Sequence, residues 1–150
     1  MKQVVINGGE THGGLLTPKW TVEYYKRKGI ELYVYIDEFI EEDNDYITVL
    51  KDSNTLDNNT EIYCPIYLTK NFGDIIKIDD TMNESIIYEH DMFKDREDKI
   101  LIDIVKEIDN EKLIKIVDIP NDVEYNVVQS DCGFREYVEE KHRIWGWIIN

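Results

Sequence analysis

Residues 112–147, KLIKIVDIPNDVEYNVVQSDCGFREYVEEKHRIWGW, decide most of what the sequence predicts about the fold. The apolar residues of 114–117 predict a strand, and the Pro-Asn-Asp sequence at 120–122 predicts the turn that ends it. Apolar and polar residues alternate over 123–127, which is the pattern of a half-buried second strand. After Gly133 the apolar residues recur at helical spacing, so we expect a C-terminal helix that ends in basic and aromatic residues.

In the rest of the chain, the sequence patterns predict strands and helices that do not alternate regularly. Thr17 and Pro18 suit the start of one helix, and the acidic residues from Asp95 suit the start of another. Strand patterns occur at 4–6, 30–36, 44–51, 61–68, 72–78 and 85–88, with a hairpin loop expected at 53–60. We therefore expect an α+β fold, as a single compact domain over residues 1–150. Its parts would be a mostly antiparallel sheet, about three helices and a β-rich middle region at 37–93.

The net charge of −15 is the most unusual bulk property of the chain. It disfavours binding to a nucleic-acid polymer, because the phosphate backbone would be repelled over most of the surface. Two uses of the acidic residues stay open: solubility alone, or a surface that presents carboxylates to a basic protein, as a DNA mimic does. The densest acidic run, at 37–45, predicts a solvated loop.

Several features bear on compartment and assembly. There is no apolar run of about 18 residues and no apolar leader, so we expect a cytoplasmic protein without a membrane span. Cys64 and Cys132 form neither a disulfide framework nor a zinc pattern. The apolar tail at 145–149 needs a cover, which predicts a homo-oligomer.

A glycine-rich loop lies between the first strand and the first helix. It contains Asn7, Gly8, Gly9, Gly13 and Gly14. Strand, glycine loop and helix in this order can hold a phosphate with free backbone amides and the helix dipole. The loop matches neither the dinucleotide fingerprint nor the Walker A pattern, so a flexible connection that needs positive φ angles is the alternative.

A basic and aromatic cluster lies near the C-terminus. On the expected helix, Arg135, Glu139 and His142 share a face, with Arg143 beside it and Trp145 close in sequence. Guanidinium groups, an imidazole and an indole suit a nucleotide or phosphate site, because they supply forked donors and flat rings. The alternative is an ordinary helix with ion pairs between residues four apart.

Arg96 stands in an acidic turn, where it can pair with its neighbours or face a ligand anion. No motif points to catalysis: GxSxG is missing, and no histidine has metal-ligand spacing. The carboxylates are too many to single out an acid–base pair. The sequence therefore disfavours an enzyme and predicts no cofactor or metal.

Both ends of the chain carry motifs that resemble those of one known family. The N-terminal VVIN with its Gly-Gly loop, and the C-terminal IPNDVEY with GFREYVEEKHRIW, resemble a family of small phage and prophage proteins. The corresponding ends there read roughly VVIN–GGF–LS and IPDDVEW with EWVAEKHR–W, and the sequence at 96–98 resembles an RDD stretch. The resemblance covers about residues 1–36 and 95–147. Residues 10–12 are an insertion relative to the family, and leucines at 15 and 16 stand where phenylalanine is expected.

The resemblance implies a phage protein that acts in the bacterial host cytoplasm. Small phage proteins often counter host defence, and some sequester cyclic-nucleotide or ADP-ribose-derived immune signals. By this analogy we expect a non-enzymatic sponge for a small nucleotide-type ligand. The glycine loop would supply amides, Arg96, Arg135 and Arg143 would hold phosphate, and Trp145 or Trp20 would stack on a base.

Two other functions stay open. One is an acidic protein-interaction module, or DNA mimic, that inhibits a host protein by presenting carboxylates. The other, which the sequence favours less, is a hydrolase that degrades such a nucleotide signal.

Overall fold

The computed structural model describes residues 1–8, 16–56, 65–108, 114–130 and 135–141. The strands are β1 Lys2–Asn7, β2 Tyr33–Ile40, β3 Asp45–Lys51, β4 Ile66–Leu68, β5 Ile75–Ile76, β6 Ile86–Ile87, β7 Ile114–Ile119, β8 Tyr125–Gln129 and β9 Glu136–Glu140. The α-helices are α1 Pro18–Arg27 and α2 Lys99–Glu107, and 3-10 turns lie at Ser53–Thr55, Asp80–Ser85 and Glu89–Phe93. Every strand pair is antiparallel, so the predicted α+β class with antiparallel pairing is confirmed.

The chain divides into two compact units. The terminal unit consists of Met1–Leu15 with Asp95–Asn150, and the middle unit of Leu16–Lys94. The prediction of one domain over the whole chain stays a prediction.

The middle unit contains a five-stranded sheet in the order β5-β3-β2-β4-β6. Its centre is the β2–β3 hairpin, in which Val34 lies opposite Lys51 and Ile40 opposite Asp45. Asn44 takes a positive φ of 49° at the end of the connecting turn, and asparagine is one of the few side chains that tolerate that conformation. The outer strands β5 and β6 are two residues long, so the sheet presents little edge to another chain.

The core of the middle unit holds one end of β2. Val34 and Tyr35 are buried there together with Tyr67 and Leu68 of β4. The Tyr35 hydroxyl donates to the carbonyl of Gly73 at 2.8 Å and accepts from the Phe72 N–H at 3.1 Å. A buried tyrosine is stable only when its hydroxyl has such partners.

Helix α1 forms where the sequence predicts it. Thr17 is extended at the N-cap and Pro18 follows, where its missing N–H breaks no helical hydrogen bond. Tyr24 and Tyr25 are buried with their rings edge to face. Gly29 ends the helix with a φ of 84°, a conformation that glycine adopts without strain.

The terminal unit joins two strand pairs and one helix. β1 pairs with β7, β8 pairs with β9, and α2 contacts β1 and β7. One buried cluster consists of Val4, Ile6 and Ile119, against which half-buried side chains of β8 and β9 pack, among them Val127 and Val138. Val127 lies directly opposite Val138, which places both on the inner face of their hairpin.

The predicted C-terminal helix is wrong for the described residues, because Glu136–Glu140 is strand β9. Its sequence EYVEE fits a strand as well as a helix, and strand β8 needs a partner along its length. The pairing places Val138 inward and Tyr137 outward. Arg135 and Glu139 therefore do not share a helical face.

One predicted strand pairing is wrong: the hairpin expected at 53–60 does not form, because β3 and β4 lie on opposite sides of β2. The strands on either side of the predicted turn at 120–122 pair elsewhere, β7 with β1 and β8 with β9. Residues 61–64 of the predicted strand 61–68 lie outside the described residues.

The N-caps of the two helices give a testable contrast. The Asp98 carboxylate accepts from the Ile100 N–H at 3.0 Å, whereas the Thr17 hydroxyl has no hydrogen-bond partner among the described residues. Asp98→Ala should therefore lower the free energy of unfolding by about 1 kcal/mol. Thr17→Ala should change it by less than about 0.5 kcal/mol, as measured by urea unfolding. If both variants lost the same unfolding free energy, the hydrogen bond from Ile100 to Asp98 would not account for the loss in Asp98→Ala.

Candidate functional site

Arg96, a predicted phosphate ligand, binds a carboxylate of its own chain. Its Nη1 and Nη2 atoms donate to Glu136 Oε1 and Oε2 at 2.7 and 2.9 Å. Nη1 also donates to the Val5 carbonyl at 3.2 Å, and the Val5 N–H donates to the Arg96 carbonyl at 2.9 Å. The forked guanidinium matches the two carboxylate oxygens, so both charges are balanced in place.

Asn7 completes this group. Its backbone N–H donates to Glu136 Oε1 at 2.8 Å. The side chain of Glu136 is 10% exposed and that of Arg96 is 23% exposed, so most of the ion pair is shielded from water. The amide and the guanidinium predicted to bind an anion thus come together, and the anion between them is Glu136.

Gly8 and Arg135 are placed by other contacts. Gly8 is buried, and a Cβ atom built on it would lie 2.8 Å from Lys115 Cγ. Gly8 is therefore needed for close approach to a neighbouring side chain. Arg135 is exposed beside β9, and its carbonyl accepts from the Ser130 N–H at 2.7 Å.

The positions of the remaining predicted ligand-binding residues neither support nor contradict the nucleotide hypothesis. Trp20 is half-buried in α1, where Lys19 Nζ lies 5.8 Å from its ring centroid. The other predicted site residues lie outside the described residues: Gly9, Gly13, Gly14, His142, Arg143 and Trp145. Binding of a nucleotide-type ligand stays a prediction.

The most unusual charge pattern lies in the middle unit. Between Lys28 and Lys51 the chain has no lysine, arginine or histidine. The same stretch has seven acids: Glu31, Asp37, Glu38, Glu41, Glu42, Asp43 and Asp45. Residues 37–45 were predicted to be a solvated loop, and the structure folds them into the distal half of the β2–β3 hairpin.

Two aromatic side chains stand exposed on this acidic hairpin. Phe39 is 48% exposed and Tyr46 is 64% exposed. They lie opposite each other in the register, with ring centroids 5.1 Å apart and ring planes tilted by 57°. The next pair on the same face is Asp37 opposite Thr48, whose hydroxyl donates to Asp37 Oδ1 at 2.6 Å.

The other face of the hairpin carries two acids and one cation: Glu38, Asp45 and Lys51. Ile36, Ile47 and Val49 are half-buried there, and Glu38 forms an ion pair with Lys51. The two faces therefore differ: one carries an internal ion pair, and the other carries an aromatic pair beside a carboxylate. Sequence reasoning missed this surface, because the alternation of 30–36 breaks at Glu38 and at the adjacent apolar residues Phe39 and Ile40.

Two further searches cover only the described part of the chain. No group of three or more histidine, cysteine, aspartate or glutamate side chains there could hold a metal ion. Within the same residues, no helix is long and apolar enough to cross a membrane.

The Arg96–Glu136 pair should act as a stabilising clamp. Arg96→Ala leaves a largely buried carboxylate without its cation, so we expect a loss of about 2 kcal/mol in unfolding free energy. The matched control is Arg27→Ala, which removes a more exposed pair with Glu23 and should cost less than about 1 kcal/mol. Urea unfolding measures both variants. An unchanged stability of Arg96→Ala would mean that folding does not depend on this pair, and Arg96 would remain a candidate ligand for an anion.

Tyr125 should make stability depend on pH in the alkaline range. Burial, followed by the hydrogen bond donated to Glu97 at 2.9 Å, raises the pKa of Tyr125 from 10.0 to about 12. The folded state thus favours the neutral phenol, a stabilisation that is complete below pH 10 and lost as the pH rises towards 12. Tyr125→Phe should flatten this decline in urea unfolding at a series of pH values. A decline as steep as that of the wild type would exclude Tyr125 as its cause.

No protein-family model matches this sequence, and neither a curated protein nor a solved structure matches it. The function must therefore be argued from the contacts and charges of the chain itself.

Proposed function

We propose that this protein is a non-enzymatic binding protein whose acidic β2–β3 hairpin contacts a cationic surface of a partner protein. The observation that carries the proposal is the exposed Phe39–Tyr46 pair at the centre of an acidic run. Aromatic residues are enriched where binding energy is concentrated in protein interfaces.

The acidic residues and the aromatic pair would have different roles. Carboxylates attract a basic partner over the length of the electrostatic field and raise the association rate. The rings supply apolar area that is buried on contact, at a low cost in side-chain entropy. Together they give an interface that forms quickly and dissociates slowly enough to be specific.

The distribution of charge favours the hairpin over the rest of the middle unit. Lys26, Arg27 and Lys28 stand just before the acidic stretch, and Lys51 ends it. Lys51 is paired with Glu38 on the face of the hairpin opposite Phe39 and Tyr46. Seven acids of this unit therefore lie in one stretch without cations, and solubility alone does not require such clustering.

The resemblance to small phage proteins supports a host protein as the partner. Inhibition of a host defence protein through a basic surface is the interaction-module function inferred from the sequence. Sequestration of a nucleotide signal is the other candidate. Two of its predicted guanidinium ligands are described: Arg96 is engaged by Glu136, and Arg135 is exposed.

A lysine decapeptide tests the proposal as a generic cationic partner. In NMR titrations we expect chemical-shift changes centred on residues 37–46, and an affinity that falls steeply as salt is raised from about 0.05 to about 0.5 M. The triple variant Glu41→Gln, Glu42→Gln, Asp43→Asn should weaken binding about tenfold or more.

The matched control removes three exposed acids elsewhere in the middle unit: Asp74→Asn, Asp80→Asn and Glu84→Gln. It has the same net charge as the hairpin triple variant and should bind within about twofold of the wild type. Equal weakening by both triple variants would mean that binding follows net charge, which would contradict a role for the hairpin.

A further inference from the structure

We propose that the face formed by Asp37, Phe39, Tyr46 and Thr48 is an arginine-recognition site. In this site, the guanidinium group of a partner protein stacks on the Phe39–Tyr46 pair and binds the Asp37 carboxylate. The inference deepens the proposed function and rests on it, because a partner must first reach the hairpin.

The strand register places the required groups side by side. Asp37 and Phe39 are two residues apart in β2, so their side chains leave the same face of the sheet about 7 Å apart. Thr48 and Tyr46 lie opposite them in β3. One planar cation can therefore reach the carboxylate and the aromatic pair at the same time.

The Asp37 carboxylate is held in position and is available. The Thr48 hydroxyl donates to Oδ1 at 2.6 Å, which restricts rotation of the carboxylate. Asp37 forms no ion pair with any of the described residues, whereas its neighbour Glu38 is balanced by Lys51. A carboxylate oriented by a hydroxyl and lacking a cation matches the forked donors of arginine.

The aromatic pair favours arginine over lysine. The rings are tilted by 57° and largely open to water, so a flat cation can lie against their faces. Guanidinium stacks on aromatic faces and is less strongly hydrated than ammonium, so it loses less hydration energy on stacking. Phenylalanine and tyrosine offer the negative ring face that a cation needs.

Charge also decides against a second copy of this chain as the occupant. Residues 29–50 carry seven acids and no cation, so two such hairpins would repel each other. A neutral apolar partner would bury the rings but leave the Asp37 carboxylate desolvated without a counter-charge. An arginine side chain satisfies both groups.

Three matched peptides provide the probes: Gly-Ser nonapeptides that carry three arginines, three lysines or three citrullines. Citrulline keeps the shape of arginine but has no charge. By NMR titration and calorimetry, we expect the arginine peptide to bind about fivefold more tightly than the lysine peptide. The citrulline peptide should show no measurable binding.

Variants then separate the two interactions. Asp37→Asn keeps an acceptor for Thr48 but loses the charge, and should weaken arginine-peptide binding about tenfold. Phe39→Leu keeps apolar area but loses the ring face, and should weaken it about fivefold. Ile75→Ala removes a 65% exposed apolar side chain on the other face of the sheet, and should leave the affinity unchanged. Circular dichroism confirms that each variant is folded.

The outcomes distinguish this inference from the proposed function. Equal binding of arginine and lysine peptides, unaffected by Phe39→Leu, would overturn the arginine site while the acidic hairpin remained a docking surface. Failure of every cationic peptide to shift residues 37–46 would overturn both. Discrimination for arginine that is lost in Asp37→Asn and Phe39→Leu would support the site.

Discussion

The terminal unit depends on the fork between Arg96 and Glu136. These residues are 40 positions apart, and the Asn7 amide that shares Glu136 is 129 positions from it. One carboxylate thus joins β1, the turn before α2 and the last described strand. Removing two charges from water is costly, so such a pair is stable only when geometry and further hydrogen bonds are good. Here the bidentate contact and the Asn7 amide meet that condition.

In the middle unit, the central strand β2 begins in the buried core and continues into solvent. Val34 and Tyr35 are buried, whereas Asp37 and Phe39 of the same strand are exposed. Exposed aromatic side chains on a strand invite aggregation, and neighbouring charges oppose it. The acids of the hairpin therefore oppose association between copies of the chain, and in the proposed function they also attract a cationic partner.

Much of the fold could be predicted because its signals are local. Helix α1 is marked by Pro18 and Gly29, and strand β8 by its alternation, so both follow from neighbouring residues alone. Strand β9 could not be predicted, because EYVEE fits two periods and only its pairing with β8 decides between them. Local acids offered Arg96 several partners, yet it binds Glu136, and sequence spacing gives no sign of such a distant contact.

The candidate surface was missed for a related reason. Charge density alone predicts a solvated loop at 37–45. Phe39 is then only a single apolar residue within that loop. The pairing of Phe39 with Tyr46 depends on the register of the hairpin, which the turn at Asn44 sets. Most of the predicted nucleotide ligands lie outside the described residues, so the structure does not test them.

The buried hydroxyl of Tyr35 has a consequence for how the hairpin moves. Its hydrogen bonds to Phe72 and Gly73 anchor β2 two residues before Asp37. Of the described strands, β4 pairs only with Tyr33–Tyr35 and β5 only with Thr48 and Val49, so from Glu38 to Ile47 the hairpin is held by β2–β3 pairing alone. This distal part can therefore open locally while the anchored end stays paired. A partner that binds it would slow the exchange of its amides with solvent.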